Sequence, residues 1–226
     1  MKKNISLLFI FYFLLTSCSF PTYVFQDQKM QSGLDFTSGK WLLNTIDAPY
    51  FVNKKLTKNV IDDFNKHLKT SLSYVPTTKG LLLPQNITFN PNRKELSNLK
   101  TGTNFDYFIN IKAKVVKDEI GAIDYSSHNK LSKEHKNEIV FVMEIYDLNN
   151  LEIIYSKTVN GSVHADKDSS SFNFAKTSDG LILGAYKKIR KDIDKKSRQN
   201  KISLSNQVIL VHFKRLFKPI NLGFFI

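Results

Sequence analysis

The feature that most constrains this chain is a set of long alternating stretches in its second half. Within residues 105–115, Tyr107, Ile109, Ile111, Ala113 and Val115 fall on one face, and Asn110, Lys112 and Lys114 fall on the other. Residues 139–147 and 151–164 read as two more strands, joined across Asp147-Leu148-Asn149-Asn150. Alternation of that length means strands with one covered and one wetter face. The four-residue joint is a hairpin signal.

Covering elements are visible on both sides of this unit. Leu56, Val60, Phe64, Leu68 and Leu72 recur every four residues with Ile61 beside them, which predicts an amphipathic helix entered near Asn53 and ending before Pro76. Leu181, Ile182, Ala185, Ile189 and Ile193 predict a second, capped by Ser178 and Asp179 and running to about Lys196. Residues 92–100 read as a short helix with Leu96 and Leu99 inward, and Gly102 suits the left-handed residue that closes such helices. Residues 41–46 read as a first buried strand. Residues 80–84 and 87–89 read as a second, with Pro84 marking it as irregular or at an edge. The expectation is an α/β (α+β) fold: a single mixed sheet of about five strands, packed by two long helices and one short one, in the order β-α-β-α-β-β-β-α, plus a basic tail.

The N-terminus belongs to a different logic. Lys2 and Lys3 precede an apolar run over residues 5–15, and Leu15-Thr16-Ser17-Cys18 follows at once. This is the layout of a secretory signal, too short for a spanning helix, which needs roughly 20 apolar residues. It resembles the lipobox of bacterial lipoproteins. The resemblance implies that Cys18 carries a diacylglycerol on sulfur, that the signal is cut before it, and that Leu15, Thr16 and Ser17 fill the lipobox positions. Several acyl chains make such attachment effectively permanent. The uncharged Ser19 implies the outer membrane, with the body expected to face the periplasm. The expected division is a signal peptide over 1–17, a lipidated N-terminus and tether over 18–38, an α/β domain over 39–197, and a basic, apolar tail over 198–226. Within the tether, Tyr23-Val24-Phe25 is a short segment able to dock on the domain.

Cys18 is the only cysteine, so no intramolecular disulfide forms despite the export route, and stability must come from packing. A hydrophobic share of 42% and an aromatic share of 12% are enough for a core. The formal charge of +13 is concentrated at the C-terminal end, where eleven Lys and Arg of residues 187–226 stand against Asp192 and Asp194. Wound as a helix, Ile209, Phe213, Leu216 and Phe217 face one way, and Lys214, Arg215 and Lys218 the other. Lys187, Lys188, Arg190, Lys191, Phe213, Lys214, Arg215, Phe217 and Lys218 are therefore the candidates for contact with an anionic membrane surface or a partner. The alternative is that residues 208–217 pack on the domain, with the lysines solvated. Export argues against nucleic acid.

The element order, together with Glu95-Leu96-Ser97-Asn98-Leu99-Lys100-Thr101-Gly102-Thr103-Asn104-Phe105-Asp106-Tyr107-Phe108-Ile109, resembles a small domain shared by several envelope lipoproteins and translocation factors. These are the curli-secretion channel family, the lipoprotein activators of penicillin-binding proteins, and the N-terminal domain of the Tol-system propeller protein. The resemblance covers about residues 39–196. Residues 117–137 and 165–177 are too polar and too short for the membrane hairpins of the channel members, which need about nine to eleven alternating residues per strand. The family supplies no catalytic residue to carry over.

Catalytic motifs are not found by pattern. His128 and His135 share a loop with Glu134 and Glu138, and His164 lies near Asp166 and Asp168, but no pair has zinc-protease spacing, and His67 and His212 stand apart. Ser126-Ser127-His128 lacks a Gly-x-Ser-x-Gly turn, Asp166-Lys167-Asp168 lacks the remaining ligands of a calcium loop, and no glycine pattern cradles a phosphate. The reading is a non-enzymatic, membrane-anchored envelope lipoprotein that needs no metal or cofactor. It acts as a binding or adaptor module for another envelope component, with the loops at 117–137 and 165–177 as contact regions. The alternatives are an envelope hydrolase whose site forms only in the fold, tested by whether the loop histidines converge, and a subunit of an oligomeric assembly.

Overall fold

A computed structural model describes residues 20–27, 34–84, 87–120, 134–166 and 176–216, with residues 198–216 described as backbone. The chain forms β1 (Thr22–Asp27), β2 (Trp41–Leu43), α1 (Tyr50–Leu68), β3 (Leu72–Tyr74), a 3-10 turn (Val75–Thr77), α2 (Arg93–Thr103), β4 (Tyr107–Asp118), β5 (Glu134–Asp147), β6 (Glu152–Asp166) and α3 (Ser178–Leu216). The strands make one six-stranded sheet in the order β1-β6-β5-β4-β2-β3. β4, β5 and β6 form an antiparallel meander, β1 adds antiparallel to β6, and β2 and β3 run parallel to β4. The α/β class and the single mixed sheet are as expected.

Alternation assigns the two faces of the sheet. Ile109, Ile111, Ile139, Phe141, Met143, Tyr155 and Val159 point to the first face, where Leu56, Val60 and Phe64 of α1 and Leu181, Ile182, Ala185 and Ile189 of α3 cover them. Leu42, Phe108 and Tyr146 point to the second face and meet the short helix α2, through Leu96 and Leu99, the segment carrying Leu81, Leu83 and Ile87, and Leu148 of the β5–β6 turn. A helix of eleven residues spans about 16 Å. It therefore covers one end of that face, and among the described residues no other helix covers the rest.

The differences from the sequence reading have local causes. The expected long helix stops at Leu68, because Lys69 takes a left-handed conformation (φ 54°) and its N–H donates to Asn65 O at 2.9 Å. Leu72 continues the four-residue rhythm but belongs to β3, which pairs with β2. That strand replaces the one expected at 80–84 and 87–89. There the backbone follows an irregular path, Leu82 N–H donating to Gly102 O at 2.8 Å. Gly102 lies inside α2 instead of closing it. The left-handed closing residue is Asn104 (φ 56°), and the helix begins with a capping box between Asn92 and Glu95. The sheet has six strands instead of about five, because Thr22–Asp27 in the expected tether pairs with β6. Finally, α3 does not end near Lys196; it continues as helical backbone to Leu216.

α3 is fixed in direction at both ends of the body. The Ser178 hydroxyl donates to Asp118 at 2.7 Å, and Asp194 lies 3.0 Å from His67 Nε2. The helix thus runs back along β6, away from the end where β1 begins. Among the described residues, no helix is long and apolar enough to cross a membrane.

Candidate binding site

The open part of the second face carries the polar sides of the meander. Register places Asn110 beside Glu144 and Ser156, then Lys112 beside Val142 and Thr158, then Lys114 beside Val140 and Asn160. At the edge of α2 this surface becomes a cavity of about 570 Å³, lined by Asn44, Thr45 and Asp47 after β2, by Asn110 and Lys112 of β4, and by Val75, Leu83, Pro84, Ile87, Thr88 and Phe89. Apolar walls over a polar floor are the usual make-up of a binding cavity.

The floor is pre-organised by its own hydrogen bonds. Asn44 Nδ2 donates to Asn110 Oδ1 at 3.0 Å, while Asn44 Oδ1 accepts from Thr45 N–H at 2.8 Å. Lys112 Nζ stands 2.5 Å from Asp47 Oδ2. Behind the floor, Glu144 is 1% exposed and accepts from Asn90 N–H at 2.8 Å, the Tyr146 hydroxyl at 2.8 Å and the Ser156 hydroxyl at 3.0 Å. Burial, reinforced by the Glu144 charge, pushes the Tyr146 phenol far above its ordinary range, so it stays a donor. Asn90 takes a left-handed conformation (φ 54°), and its bond to Glu144 ties the loop wall to the sheet. The carboxylate is therefore committed to holding the loop. The groups lining the cavity, two amides and a Lys–Asp pair, suit hydrogen bonding to a polar segment.

A second polar cluster joins the helices. Asp63 of α1 accepts from Lys66 at 2.6 Å, the Tyr186 hydroxyl at 3.1 Å and Arg190 at 3.3 Å. Burial alone would raise its carboxyl, but these three bonds outweigh it and hold Asp63 below the ordinary aspartate range. Burial first, then the Asp63 charge, pushes the Tyr186 phenol far up. This cluster clamps α1 to α3. At the far end of α1, His67 stacks on Phe36 with ring centroids 5.0 Å apart, beside a cavity of about 480 Å³ that Ser197 also lines.

The residues singled out by sequence separate in the structure. Lys187, Lys188 and Lys191 are exposed on α3, while Arg190 turns to Asp63. Phe213, Lys214, Arg215 and His212 lie on the helical backbone of α3. Leu15, Thr16, Ser17, Cys18, Ser126, Ser127, His128, Phe217 and Lys218 lie outside the described residues. His135 and His164 sit on neighbouring strands, opposite Ala165 and Lys136, away from the cavity around Asn44 and Asn110. Among the described residues, no group of three His, Cys, Asp or Glu is placed to hold a metal ion. Sequence reasoning did not single out Asn44, Asn110, Lys112 or Glu144 as a site. The available signal was the polar side of the alternation in β4.

No family model matches the sequence, and neither does any curated protein. Solved structures do resemble the chain. A PelC dodecamer from Paraburkholderia phytofirmans is 9% identical, covering 74% of this chain and 95% of that one, with a TM-score of 0.36. A neuraminyllactose-binding hemagglutinin homolog from Helicobacter pylori is 13% identical, covering 80% of this chain and 97% of that one, with a TM-score of 0.36. The lipoprotein GNA1162 from Neisseria meningitidis is 10% identical, covering 69% of this chain and 99% of that one, with a TM-score of 0.35.

Proposed function

We propose that the chain is a bacterial envelope lipoprotein, held to the outer membrane by acyl chains on Cys18 and facing the periplasm, whose α/β body is a non-enzymatic binding module. Its ligand is a segment of another envelope protein, taken into the cavity between the 83–89 segment and strands β2 and β4. The observation that carries the binding role is the cavity floor: Asn44, Asn110 and the Lys112–Asp47 pair present donors and acceptors beneath walls of Leu83, Pro84, Ile87 and Phe89. A peptide segment offers alternating backbone donors and acceptors to such a floor and apolar side chains to such walls. The anchoring part rests on Leu15-Thr16-Ser17-Cys18 after the apolar run.

Two measurements test it. Intact-mass analysis of protein from its native host is expected to give a chain that starts at the acylated Cys18; an unmodified polypeptide beginning at Met1 would end the anchoring reading. A photo-crosslinking residue at Lys112 is expected to capture one defined envelope protein in cells, and the same residue at exposed Lys54 on α1 is not. Equal capture from both positions would remove the cavity as the binding site.

A further inference from the structure

From the place where the sheet begins relative to Cys18, we infer that the β1 edge of the body lies against the surface of the anchoring bilayer. It is an interfacial docking edge made of exposed apolar residues and flanking lysines, and its occupant is an anionic lipid headgroup layer. The inference rests on the acylated Cys18 proposed above. Between Cys18 and Thr22, the first residue of β1, stand only Ser19, Phe20 and Pro21. Four steps of extended chain reach about 14 Å at most, so the Thr22 end of the edge strand stays within that distance of the anchor.

The composition of this edge matches that position. Phe20 is 81% exposed, Val24 56% and Phe25 38%. Lys176 and Lys188 stand 5.9 and 5.8 Å from the centre of the Tyr23 ring. Lys191 and Lys195 are exposed on the following turns of α3. The nearby Asp192 is taken up by Lys196 at 3.0 Å and the Tyr155 hydroxyl at 3.1 Å, and the acidic residue of β1 itself, Asp27, stands at the end of the strand away from Thr22. Exposed aromatic and aliphatic side chains ringed by lysines are what a headgroup layer holds well, since each cation near an anionic surface adds attraction while the apolar tips insert. In water, an exposed apolar edge strand is a liability. The sheet order then sets the distance of the binding site. β4 and β2 lie three and four strands from β1, about 14 and 19 Å away, so the cavity is held clear of the headgroups.

The test uses the acylated full-length protein in vesicles. Its only cysteine carries lipid, so a cysteine introduced at Val24→Cys, or at Lys79→Cys beyond the opposite edge, takes a fluorophore specifically. In vesicles containing phosphatidylglycerol and headgroup-labelled quencher lipid, position 24 is expected to lose most of its fluorescence while position 79 keeps it. Lys188→Glu with Lys191→Glu, checked for an unchanged circular dichroism melt, is expected to restore fluorescence at position 24. Flotation reports the anchor separately. A protein that floats with position 24 unquenched overturns the docking edge and leaves the anchor standing; a protein that neither floats nor carries acyl mass overturns both. Disulfide-linked pairs through position 24 would assign the edge to a second copy and overturn the lipid assignment.

Discussion

Glu144 lies between Met143 and Ile145, and its neighbours in sequence face the helix-covered core while it faces the other way. Its three donors make it the keystone of the loop wall. Glu144→Ala removes the acceptor of the Asn90 N–H and the Tyr146 hydroxyl. It is expected to cost about 3 kcal/mol or more in urea unfolding, with Glu144→Gln intermediate. Tyr23 gives the opposite sign: its hydroxyl is buried with no hydrogen-bond partner among the described residues, so Tyr23→Phe is expected to leave stability unchanged or raise it by about 1 kcal/mol. Asp63 sets a pH response. Its carboxyl is depressed in the folded state, so the stability it adds is fully present above the unfolded aspartate value and is lost as pH falls through the folded one. Thermal melts are expected to show less decline below about pH 4 in Asp63→Asn than in wild type, from a lower starting stability. None of these roles was legible in sequence. A glutamate at a polar-face strand position looks the same whether it is solvated or holds a loop down.

Element-scale periodicity revealed most of the architecture. α1, the first half of α3 and the β4–β5–β6 meander all bury continuous stripes, and such stripes are what sequence displays. β3 escaped because Leu72 keeps the helical spacing while a single residue, Lys69, breaks the backbone. β1 was legible only as Tyr23-Val24-Phe25, a segment able to dock, and not as a strand, because its alternation is short and its partner, β6, lies far along the chain. Residues 80–84 and 87–89 read as strand in the sequence because apolar residues that wall a cavity look like apolar residues that pair. Gly102 belongs to this scale as well. Alanine there gains up to about 1 kcal/mol of helix propensity. However, a Cβ would sit 2.0 Å from the carbonyl oxygen of Leu82, the residue before Leu83 of that wall. The collision wins: Gly102→Ala is expected to lower the melting temperature by the equivalent of about 2 kcal/mol and to weaken capture by the crosslinker at Lys112.

The whole molecule has two poles on one sheet, an edge that starts beside the proposed anchor and a cavity several strands away. Cys18→Ser is expected to shift the protein from the membrane to the soluble fraction while its circular dichroism melt stays unchanged, because the acyl chains are proposed to moor the body and not to fill its core; a matching loss of stability would show that acylation and fold are coupled. One pairing has a temporal consequence. Thr22 is among the first residues of the body to be made, and it hydrogen-bonds beside Ser162, among the last of the sheet. Contacts so distant in sequence form only after the intervening chain has collapsed. Under the proposed lipidation of Cys18, a chain that receives its lipid as it emerges is moored while its edge is still open, and it completes its folding on the bilayer.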